Sequence, residues 1–437
     1  MHRPSASLAR RAAPALALGA LLSLPLAVTA SSTVNGPMAF DPISGSAYGQ
    51  LTNTWTEPYI VPQGFSQTRI SDESADFGGG PGLNIYGGSV DDLGDMQTVN
   101  ETGKHAGRYL YRTHEVGSNG AVSVVDLDTG ATKILVQHGD AIDATGAADW
   151  TRLDGIRWTP WKTIIFAEET TRGKFYEGFI DPKNPDELIT VVDRPLVGRM
   201  AHEGIEVGTD GSIYVIDEFN GGSIYRFVPN SYGDLSSGQL YALRIKGLTD
   251  AQQLWGAYDA VTNPHTGDFE WVALDMSQVA IDARVAADNV SATEYGRPED
   301  LERIGQTLYV ANTSEDRVLA IDLSGLTVKS FVEAGVNVPV ENGGAGVTGF
   351  NSPDNLAQGP DGRLWICEDN VPSDIWVADK DLNGDGAADG VHLFASLKDP
   401  GAESTGIYFG KNPKVLFVNI QHAAKPLADG TWAISKD

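Results

Sequence analysis

The stretch "SPDNLAQGPDGRLWICEDN", residues 352–370, sets a Pro-Asp-Gly turn beside a short apolar strand and places four acidic residues around them. Turn residues followed by strand formers predict one hairpin of a β structure, with "GRLWIC" as a strand. Asp354, before the turn, is expected to belong to a site, whereas Glu368 and Asp369 are expected to face solvent or a turn. The stretch therefore predicts both a structural unit and part of a binding site.

The same pattern recurs along the chain: Gly or a polar residue, three to five strand formers, an acidic or polar cluster, and a second strand. The copies are "GRYLYRTHEVGSNGAVSVVDLDTG", "WKTIIFAEETTRGKFYEGFI", "GSIYVIDEFNGGSIYRFVP", "QTLYVANTSEDRVLAIDLS", "GRLWICEDNVPSDIWVADKD" and a degenerate "KVLFVNIQH". Their first strands begin near residues 109, 164, 213, 308, 364 and 414. Most steps are about fifty residues, and the longest has room for a further unit around "FEWVALD".

Repeats of this period, built from short strands and Gly-rich turns, predict an all-β, single-domain β-propeller. Six or seven blades would fit, and six is our prediction. A β-sandwich would not explain why a carboxylate recurs at the same place in each copy. Helical pattern is scarce, and residues 281–290 are the expected short helix outside the leader.

The first thirty residues predict an export signal. They contain three arginines and no acidic residue, then an apolar run that ends with Val28 and Ala30 at the positions a signal peptidase prefers. Arg10 and Arg11 could address the twin-arginine route, but their neighbours miss most of that consensus, so the Sec route stays open too. We expect residues 1–30 to be removed, residues 31–437 to form the propeller, and the product to be periplasmic or secreted. An uncleaved membrane anchor is the alternative.

The exported chain is strongly acidic. Without residues 1–30 it has 28 basic and 58 acidic residues, a formal charge of −30. Such a surface repels nucleic acid and anionic lipid and suits cations, so we expect no nucleic-acid or membrane partner, and a monomer. The one cysteine, Cys367, excludes an internal disulfide framework, and its apolar strand predicts a buried, inert thiol.

Acidic residues recur once per repeat in the same register. In a propeller the innermost strands converge on a central channel, so these side chains are expected to meet there. Carboxylates that meet without cations repel one another and shift one another's pKa values, which predicts hard cations such as Ca²⁺ among them. Taken singly, each could be a solvated strand-edge charge, a turn cap or a surface ion pair. The candidates are Glu115, Glu168, Glu169, Glu203, Glu299 beside Arg297, Asp354 and Glu403.

A separate loop, "DKDLNGDGAADG", alternates Asp379, Asp381, Asn383 and Asp385 through a Gly-containing turn. This spacing matches the first ligands of a calcium loop, although position twelve is Gly390 rather than Glu, which argues against an EF-hand. A structural calcium site is the prediction, and a turn rich in Asx side chains is the alternative.

Five segments, in order, resemble the PhoX-type alkaline phosphatases, which are exported, metal-dependent phosphomonoesterases with a propeller fold. They are "LDGIRWTPWKTIIFAEE", "GRMAHEGIEV", "YGRPEDLE", "SPDNLAQGPDGRLWICED" and "VLFVNIQH". The resemblance runs from about residue 60 to residue 425, and in that family the site holds iron and calcium ions. The resemblance implies metal ligands at Glu169, Glu203, Glu299, Asp354 and Glu403, with Arg297 contacting the substrate phosphate.

Two positions depart from the family's pattern. The family has a cysteine thiolate that bridges two irons before the "TPW" segment, and the corresponding residue here is Asp154. Where the family has an asparagine that touches phosphate, this chain has Thr113. A carboxylate prefers harder ions than a thiolate does, so we expect a divergent member that uses calcium, with iron left open.

On the phosphatase interpretation, clustered ions replace a protein nucleophile in the hydrolysis of a small phosphate ester. Arg297, Thr113 and Asp154 are the candidate catalytic residues, and Glu115 joins the ligands that the resemblance implies. Two alternatives remain. A calcium-dependent lactonase or esterase would need a base such as His114, His202 or His422, and a non-catalytic propeller would only bind a ligand. The sequence has no GxSxG, HExxH or P-loop motif, which weakens serine-hydrolase, zinc-peptidase and nucleotide-hydrolase interpretations.

Overall fold

The computed structural model describes residues 33–48, 52, 55–73, 93–117, 119–137, 150–341 and 348–437. The predicted signal peptide, residues 1–30, lies outside these ranges. Within them, no helix is long and apolar enough to cross a lipid bilayer.

The described residues form six antiparallel, four-stranded units, called blades I to VI here. The chain enters through β1 (Tyr59–Ile60) and β2 (Phe65–Asp72). Blade I is β3 (Gly94–Val99), β4 (Tyr109–His114), β5 (Ala121–Asp126) and β6 (Ala131–Gln137). Blade II is β7 (Leu153–Trp158), β8 (Thr163–Gly173), β9 (Phe175–Ile180) and β10 (Leu188–Asp193), followed by the short β11 (Met200–Ala201).

The second half of the chain repeats this arrangement. Blade III is β12 (Ile205–Val207), β13 (Ile213–Ile216), then β15 (Ile224–Pro229) and β16 (Gly238–Ile245), with the short β14 (Asn220–Gly222) inserted. After β17 (Gly267–Ala273) and β18 (Tyr295–Gly296), blade IV is β19 (Pro298–Ile304), β20 (Thr307–Asn312), β21 (Arg317–Asp322) and β22 (Thr327–Glu333). Blade V is β23 (Pro353–Gln358), β24 (Leu364–Glu368), β25 (Asp374–Ala378) and β26 (Val391–Leu397). Blade VI is β27 (Glu403–Phe409), β28 (Val415–Gln421) and β29 (Gly430–Lys436), completed by β2.

The first strands of the blades contact one another in a closed cycle, from β3 through β7, β12, β19, β23 and β27 back to β3. Blade VI takes its outer strand from the start of the chain and its other three from the end, because β2 pairs with β29. The cycle and this closure make the fold a β-propeller, which confirms the predicted fold class.

The strands predicted from the repeats are the second strands of the blades. These strands begin at residues 109, 163, 213, 307, 364 and 415. The segment "FEWVALD" does not start a further blade, because β17 pairs with β16 and, through two residues, with β22, and so joins the outer edges of blades III and IV.

Helices are short. They are α1 (Asp250–Gln253), α2 (Met276–Val279) and α3 (Ala283–Asp288), with single 3-10 turns at Trp255–Ala257 and Thr313–Glu315. The helix α3 lies within the predicted range 281–290. Asp282 caps it by accepting a hydrogen bond from the backbone N–H of Val285.

Apolar side chains fill the spaces between neighbouring blades. Between blades V and VI, the buried rings of Trp365, Phe394 and Trp432 belong to one apolar cluster. Cys367 is buried in the same cluster, as predicted, and burial raises the pKa of its thiol. This packing fixes the orientation of each sheet, and with it the direction in which the first strands enter the channel.

Candidate functional site

The first strands begin at one mouth of the channel, where they surround a cavity of about 130 Å³. Ten of the twelve residues lining it are acidic, and the other two are Arg297 and Thr405. The acidic ones are Asp95, Glu115, Asp154, Glu169, Glu203, Glu218, Glu299, Asp354, Asp369 and Glu403. The structure thus brings together six of the seven recurring carboxylates that the sequence predicts to meet, and Glu168 is the exception.

Two positions in the blade supply these side chains. The start of the first strand supplies Asp95 in β3, Asp154 in β7, Glu203 before β12, Glu299 in β19, Asp354 in β23 and Glu403 in β27. A position just after the part of the second strand that pairs within its blade supplies Glu115, Glu169, Glu218 and Asp369 in blades I, II, III and V. Every blade therefore contributes a carboxylate from its first strand, and four contribute another.

A repeated irregularity turns the first-strand carboxylates into the channel. In blades I, II, IV and V the pairing register shifts across the acidic residue, which marks a β-bulge, and such bulges re-aim side chains. The residue two positions before the acid has a positive φ in each of these blades. These residues are Leu93 (42°), Arg152 (49°), Arg297 (45°) and Ser352 (45°). The left-handed region is costly for non-glycine residues, so local strain accompanies the placement of the carboxylates.

The first strands approach one another closely. A Cβ atom on Gly155 would overlap the carbonyl oxygen of Glu203, and one on Gly204 would lie 2.6 Å from Cα of Asp300. The backbone N–H of Gly204 donates to the carbonyl of Glu299 at 2.9 Å. Only glycine allows this approach, which brings carboxylates of different blades within reach of a common ion.

Two groups of three carboxylates offer oxygen atoms that all lie within 4.8 Å of one another. Cluster A is Asp95, Glu115 and Asp154, and cluster B is Glu203, Glu299 and Asp354. The side chain of Asp154 is buried, and within the described part of the chain its Oδ1 atom has no hydrogen-bond partner. A buried carboxylate oxygen without a partner is costly, and a cation in cluster A would supply one.

Burial and mutual repulsion raise the pKa values of these carboxyl groups. Burial with the neighbouring Glu115 raises the pKa of Asp95 to about 7. Burial and contacts with Glu218 and Glu115 raise the pKa of Glu169 to about 11. Burial, first, and neighbouring carboxylates raise the pKa values of Asp154, Glu203, Glu299 and Asp354 well above the usual range. The folded protein therefore needs protons or cations here, and an all-oxygen donor set fits hard cations such as Ca²⁺.

Arg297 is the one basic side chain among the lining residues. Its Nε donates to Oε1 of Glu218 at 2.8 Å, and its guanidinium also pairs with Glu299. Its Nη1 atom lies 3.6 Å from a carboxylate oxygen of Asp369, and about a third of the side chain is exposed. Two carboxylates thus orient the guanidinium while part of it faces solvent.

Uncharged side chains behind the carboxylates hold them in place. Asn355 donates through Nδ2 to Oδ1 of Asp354 at 3.0 Å and to Oε1 of Glu203 at 3.3 Å. Its Oδ1 accepts from the hydroxyl of Thr405 at 2.6 Å. Gln421 donates to Oδ2 of Asp95 at 2.8 Å. These contacts link blades that are separate in sequence into one rigid wall.

The positions of four predicted residues require corrections. Thr113 is fully buried and its hydroxyl faces the backbone carbonyls of Met96 and Asp154, so it does not line the cavity or donate to a ligand there. Glu168 is also buried, and its carboxylate accepts backbone N–H groups instead of facing the channel. Asp369 lines the cavity rather than facing bulk solvent, and Glu368 is buried beside Trp376.

The histidines differ in their access to the cavity. His114 is buried against Ser123, and Nε2 of the buried His202 lies 3.1 Å from the carbonyl of Gly198. Both positions are structural. His422 is half-exposed, and its Nε2 lies 3.4 Å from Oε1 of Glu403.

The loop of residues 379–390 is a turn closed by its own Asx side chains. Asp379 is paired with Arg363 and His392, which directs it away from the loop. The carboxylate of Asp381 accepts backbone N–H groups from Gly384 and Gly386, while Asn383 and Asp385 accept from the residues two positions further on. The alternative of an Asx-rich turn accounts for these contacts, and a structural calcium site in this loop stays a prediction.

Sequence reasoning missed Asp95 and did not select Glu218 and Asp369. Asp95 lies in "LGDMQTV", which has no apolar run to mark it as a strand. Glu218 and Asp369 occupy the same register as Glu115 and Glu169, just after the part of a second strand that pairs within its blade. An alignment of the repeats against one another would have found both.

One protein family and several solved structures are similar to this chain. The sequence model of the family described as alkaline phosphatase PhoX matches residues 155–424, which include cluster B and Arg297 and begin just after cluster A. No curated protein sequence matches the chain. Among solved structures, the chain is similar to virginiamycin B lyase from Staphylococcus aureus, with 14% identity, a TM-score of 0.45, and coverage of 85% of this chain and 99% of that one. A structure described as a putative gluconolactonase has 10% identity, a TM-score of 0.45, and coverage of 86% and 94%.

Both structural similarities are too distant to carry an argument about this chain. The family match is different in kind, because it spans more than half of the chain and includes the residues that form one of the two carboxylate clusters. The chain belongs to the PhoX family of alkaline phosphatases.

Proposed function

We propose that the protein is an exported, metal-dependent phosphomonoesterase whose active site is the acidic mouth of the channel. Arg297 is the observation that carries this proposal. Among the described residues that line the cavity, it is the only basic one, beside ten carboxylates and Thr405, and a partly exposed guanidinium is the group that best matches a phosphate. Membership of the PhoX family supports the same activity.

Clusters A and B are the residues that would hold cations. Bound cations would neutralise the non-bridging phosphate oxygens, lower the pKa of a water molecule and stabilise the departing alkoxide. The donor set favours calcium, because it consists of oxygen atoms and Cys367 lies in the core between blades rather than in the cavity lining. Iron remains the alternative that the family implies.

The protein's own groups position the substrate. Glu218 and Glu299 hold the Arg297 guanidinium over the cavity, so that its free N–H groups can donate to two phosphate oxygens. The lining residues in the described part of the chain include no serine, cysteine or histidine, and the hydroxyl of Thr405 already faces Asp95 and Asn355. These lining residues therefore favour attack by water over a covalent intermediate.

The first test is hydrolysis of p-nitrophenyl phosphate at alkaline pH by the form lacking residues 1–30. The protein is assayed after chelation and again after Ca²⁺ or iron is restored separately, with elemental analysis of the protein as purified. We expect activity to return with Ca²⁺. Absence of hydrolysis with every metal, despite tightly bound calcium, would overturn the proposal.

Arg297→Ala tests the role of the guanidinium. We expect a loss of roughly a hundredfold in kcat/KM for the phosphate ester, as for the removal of one preorganised donor from an active site, with partial recovery in Arg297→Lys. Arg226→Ala is the matched control, because Arg226 forms a similar ion pair with the exposed Asp210 at the outside of blade III. Full activity in Arg297→Ala would exclude this residue as the phosphate ligand.

A calcium-dependent lactonase or esterase is the second candidate. The observation in its favour is His422, which lies beside Glu403 and is accessible to solvent, so it could act as a base near an ion. Hydrolysis of a lactone or phenyl acetate that is lost in His422→Gln but unchanged in Arg297→Ala would favour it. Calcium binding with no turnover of any ester would favour a non-catalytic propeller.

Export to the periplasm or the medium is part of the proposal. Cell fractionation with a tagged chain tests it, and substitution of Arg10 and Arg11 by lysine separates the two export routes. Retention of the tagged chain in the cytoplasm would contradict it.

A further inference from the structure

Phe219 is a half-exposed aromatic residue whose backbone adjoins two residues of the acidic cavity, Glu218 and Arg297. It directly follows Glu218, which lines the cavity, and its ring is 50% exposed. Its carbonyl oxygen accepts the backbone N–H of Arg297 at 3.2 Å and that of Gly222 at 2.8 Å. An apolar surface is therefore attached directly to the backbone of the residue proposed to bind phosphate.

The ring of Phe219 is held in a fixed orientation. The guanidinium carbon of Arg284 lies 3.9 Å from the ring centroid, which is a close cation–π contact. Arg284 is itself fixed by Asp217, a buried residue whose two carboxylate oxygens accept its Nε at 2.5 Å and its Nη2 at 2.7 Å. The exposed part of the ring is thus a rigid surface, and ordering it on binding a ligand costs little conformational entropy.

Only blade III has an aromatic residue at this position of the blade. The equivalent position, directly after the one that Glu218 occupies in blade III, has a small or polar residue or a buried valine in the other blades. These residues are Val116, Thr170, Ser314, Asn370 and Ala423.

The size of the cavity determines where the organic part of a substrate must lie. A cavity of about 130 Å³ lined by carboxylates has room for a phosphate group and its ions, and little more. An ester bound with its phosphate at Arg297 would therefore leave its alcohol group outside the cavity, and Phe219, whose carbonyl accepts the backbone N–H of Arg297, is an exposed aromatic residue attached there.

We propose that Phe219 forms the subsite for the alcohol group and gives the enzyme a preference for phosphomonoesters of aromatic alcohols over those of small polyols. This inference rests on the proposed function. An aromatic group stacks on the exposed ring and is removed from water there, whereas a polyol loses hydrogen bonds to water and gains none from the ring.

The test compares phenyl phosphate with glycerol 2-phosphate in the calcium-restored enzyme. The quantity of interest is the ratio of the two kcat/KM values, because it cancels effects of a variant on metal content or on phosphate binding. We expect this ratio to fall about fivefold in Phe219→Ala, through KM for the phenyl ester, and to be retained in Phe219→Tyr. Tyr232→Ala, which removes an exposed aromatic residue packed on Trp161, is the matched control and should leave the ratio unchanged.

Equilibrium binding gives a second readout that does not depend on turnover. Phenylphosphonate should bind more tightly than methylphosphonate to the wild type, and Phe219→Ala should remove most of the difference. An unchanged ratio and an unchanged difference in Phe219→Ala would overturn the subsite while leaving the phosphatase proposal intact. Failure of the wild type to hydrolyse either ester would remove both.

Discussion

Asp154→Asn should change the stability of the protein in opposite directions with and without calcium. The Asp154 carboxyl is buried, its Oδ1 has no hydrogen-bond partner within the described part of the chain, and Asp95 and Glu169 repel its charge. At pH 7 the chelated protein must bury this charge or take up a proton on folding. Asparagine has no such requirement, and the neighbouring carboxylates can accept its N–H groups.

The magnitude follows from linkage. Keeping a proton at pH 7 on a group whose ordinary pKa is about 4 costs at most about 4 kcal/mol, since each pH unit is worth about 1.4 kcal/mol. Relaxation and sharing of protons within the cluster reduce this cost, so we expect chelated Asp154→Asn to be more stable than chelated wild type by about 1–2 kcal/mol. Calcium at a hundred times its Kd should raise the free energy of unfolding of the wild type by about 2.7 kcal/mol per site. The variant should lose most of the gain that comes from calcium bound at cluster A.

Urea unfolding at neutral pH, with chelator and with saturating Ca²⁺, measures both effects. Glu168→Gln is the matched control, because Glu168 is a buried acid nearby whose carboxylate accepts backbone N–H groups instead of lining the cavity. Its substitution should lower stability equally with and without calcium. The reasoning would be refuted if Asp154→Asn destabilised the chelated protein and left the calcium-dependent gain unchanged.

Three further predictions concern the channel. The raised pKa values make the folded, chelated protein bind more protons than the unfolded chain. Its free energy of unfolding should therefore fall as pH rises from about 4 towards the pKa values of Glu403, about 10, and Glu169, about 11. Thermal melts at a series of pH values measure this dependence, and calcium should flatten it. Gly155→Ala should abolish soluble expression, because a Cβ there overlaps a backbone carbonyl, whereas Gly256→Ala, with no atom nearby, should fold normally. Arg157→Met should lower stability by about 3–5 kcal/mol in urea, because it leaves two buried glutamates at the far end of the channel without their shared partner; a loss below 1 kcal/mol would contradict this.

The second strands of the blades could be predicted from sequence, but the first strands could not. Second strands such as "LYVAN" and "LWICE" are apolar runs bounded by turns, which is a strong local signal. First strands such as "PEDLERI" and "PDNLAQ" carry the site residues and a bulge. The alternation of apolar and polar residues is therefore broken at the acidic residues themselves. The recurrence of acidic residues therefore predicted that they share a channel. Which of them line the cavity depends on the bulges in the first strands, and the periodicity of the sequence does not show these bulges.

Thr113 shows why adjacent residues cannot all be assigned to one site. In "THE", residues 113–115, strand alternation sends Thr113 and His114 to opposite faces of β4, and only Glu115, beyond the strand end, reaches the cavity. The resemblance supplied a role for Thr113 by position in the chain. Its burial against two carbonyl groups removes that role, whatever the side chain in other members.

The strain at the start of the first strands is best explained by the site. Arg297 and Ser352 each precede a proline and each have a positive φ, although proline disfavours compact conformations in the residue before it. Such conformations cost about 1–3 kcal/mol each and persist only where the surroundings impose them. A propeller that needed only a packed channel could use regular strands there. The same irregularity recurs in four blades, each time two residues before a carboxylate, so the strain accompanies the placement of acids at a common centre, as the proposed cation sites require.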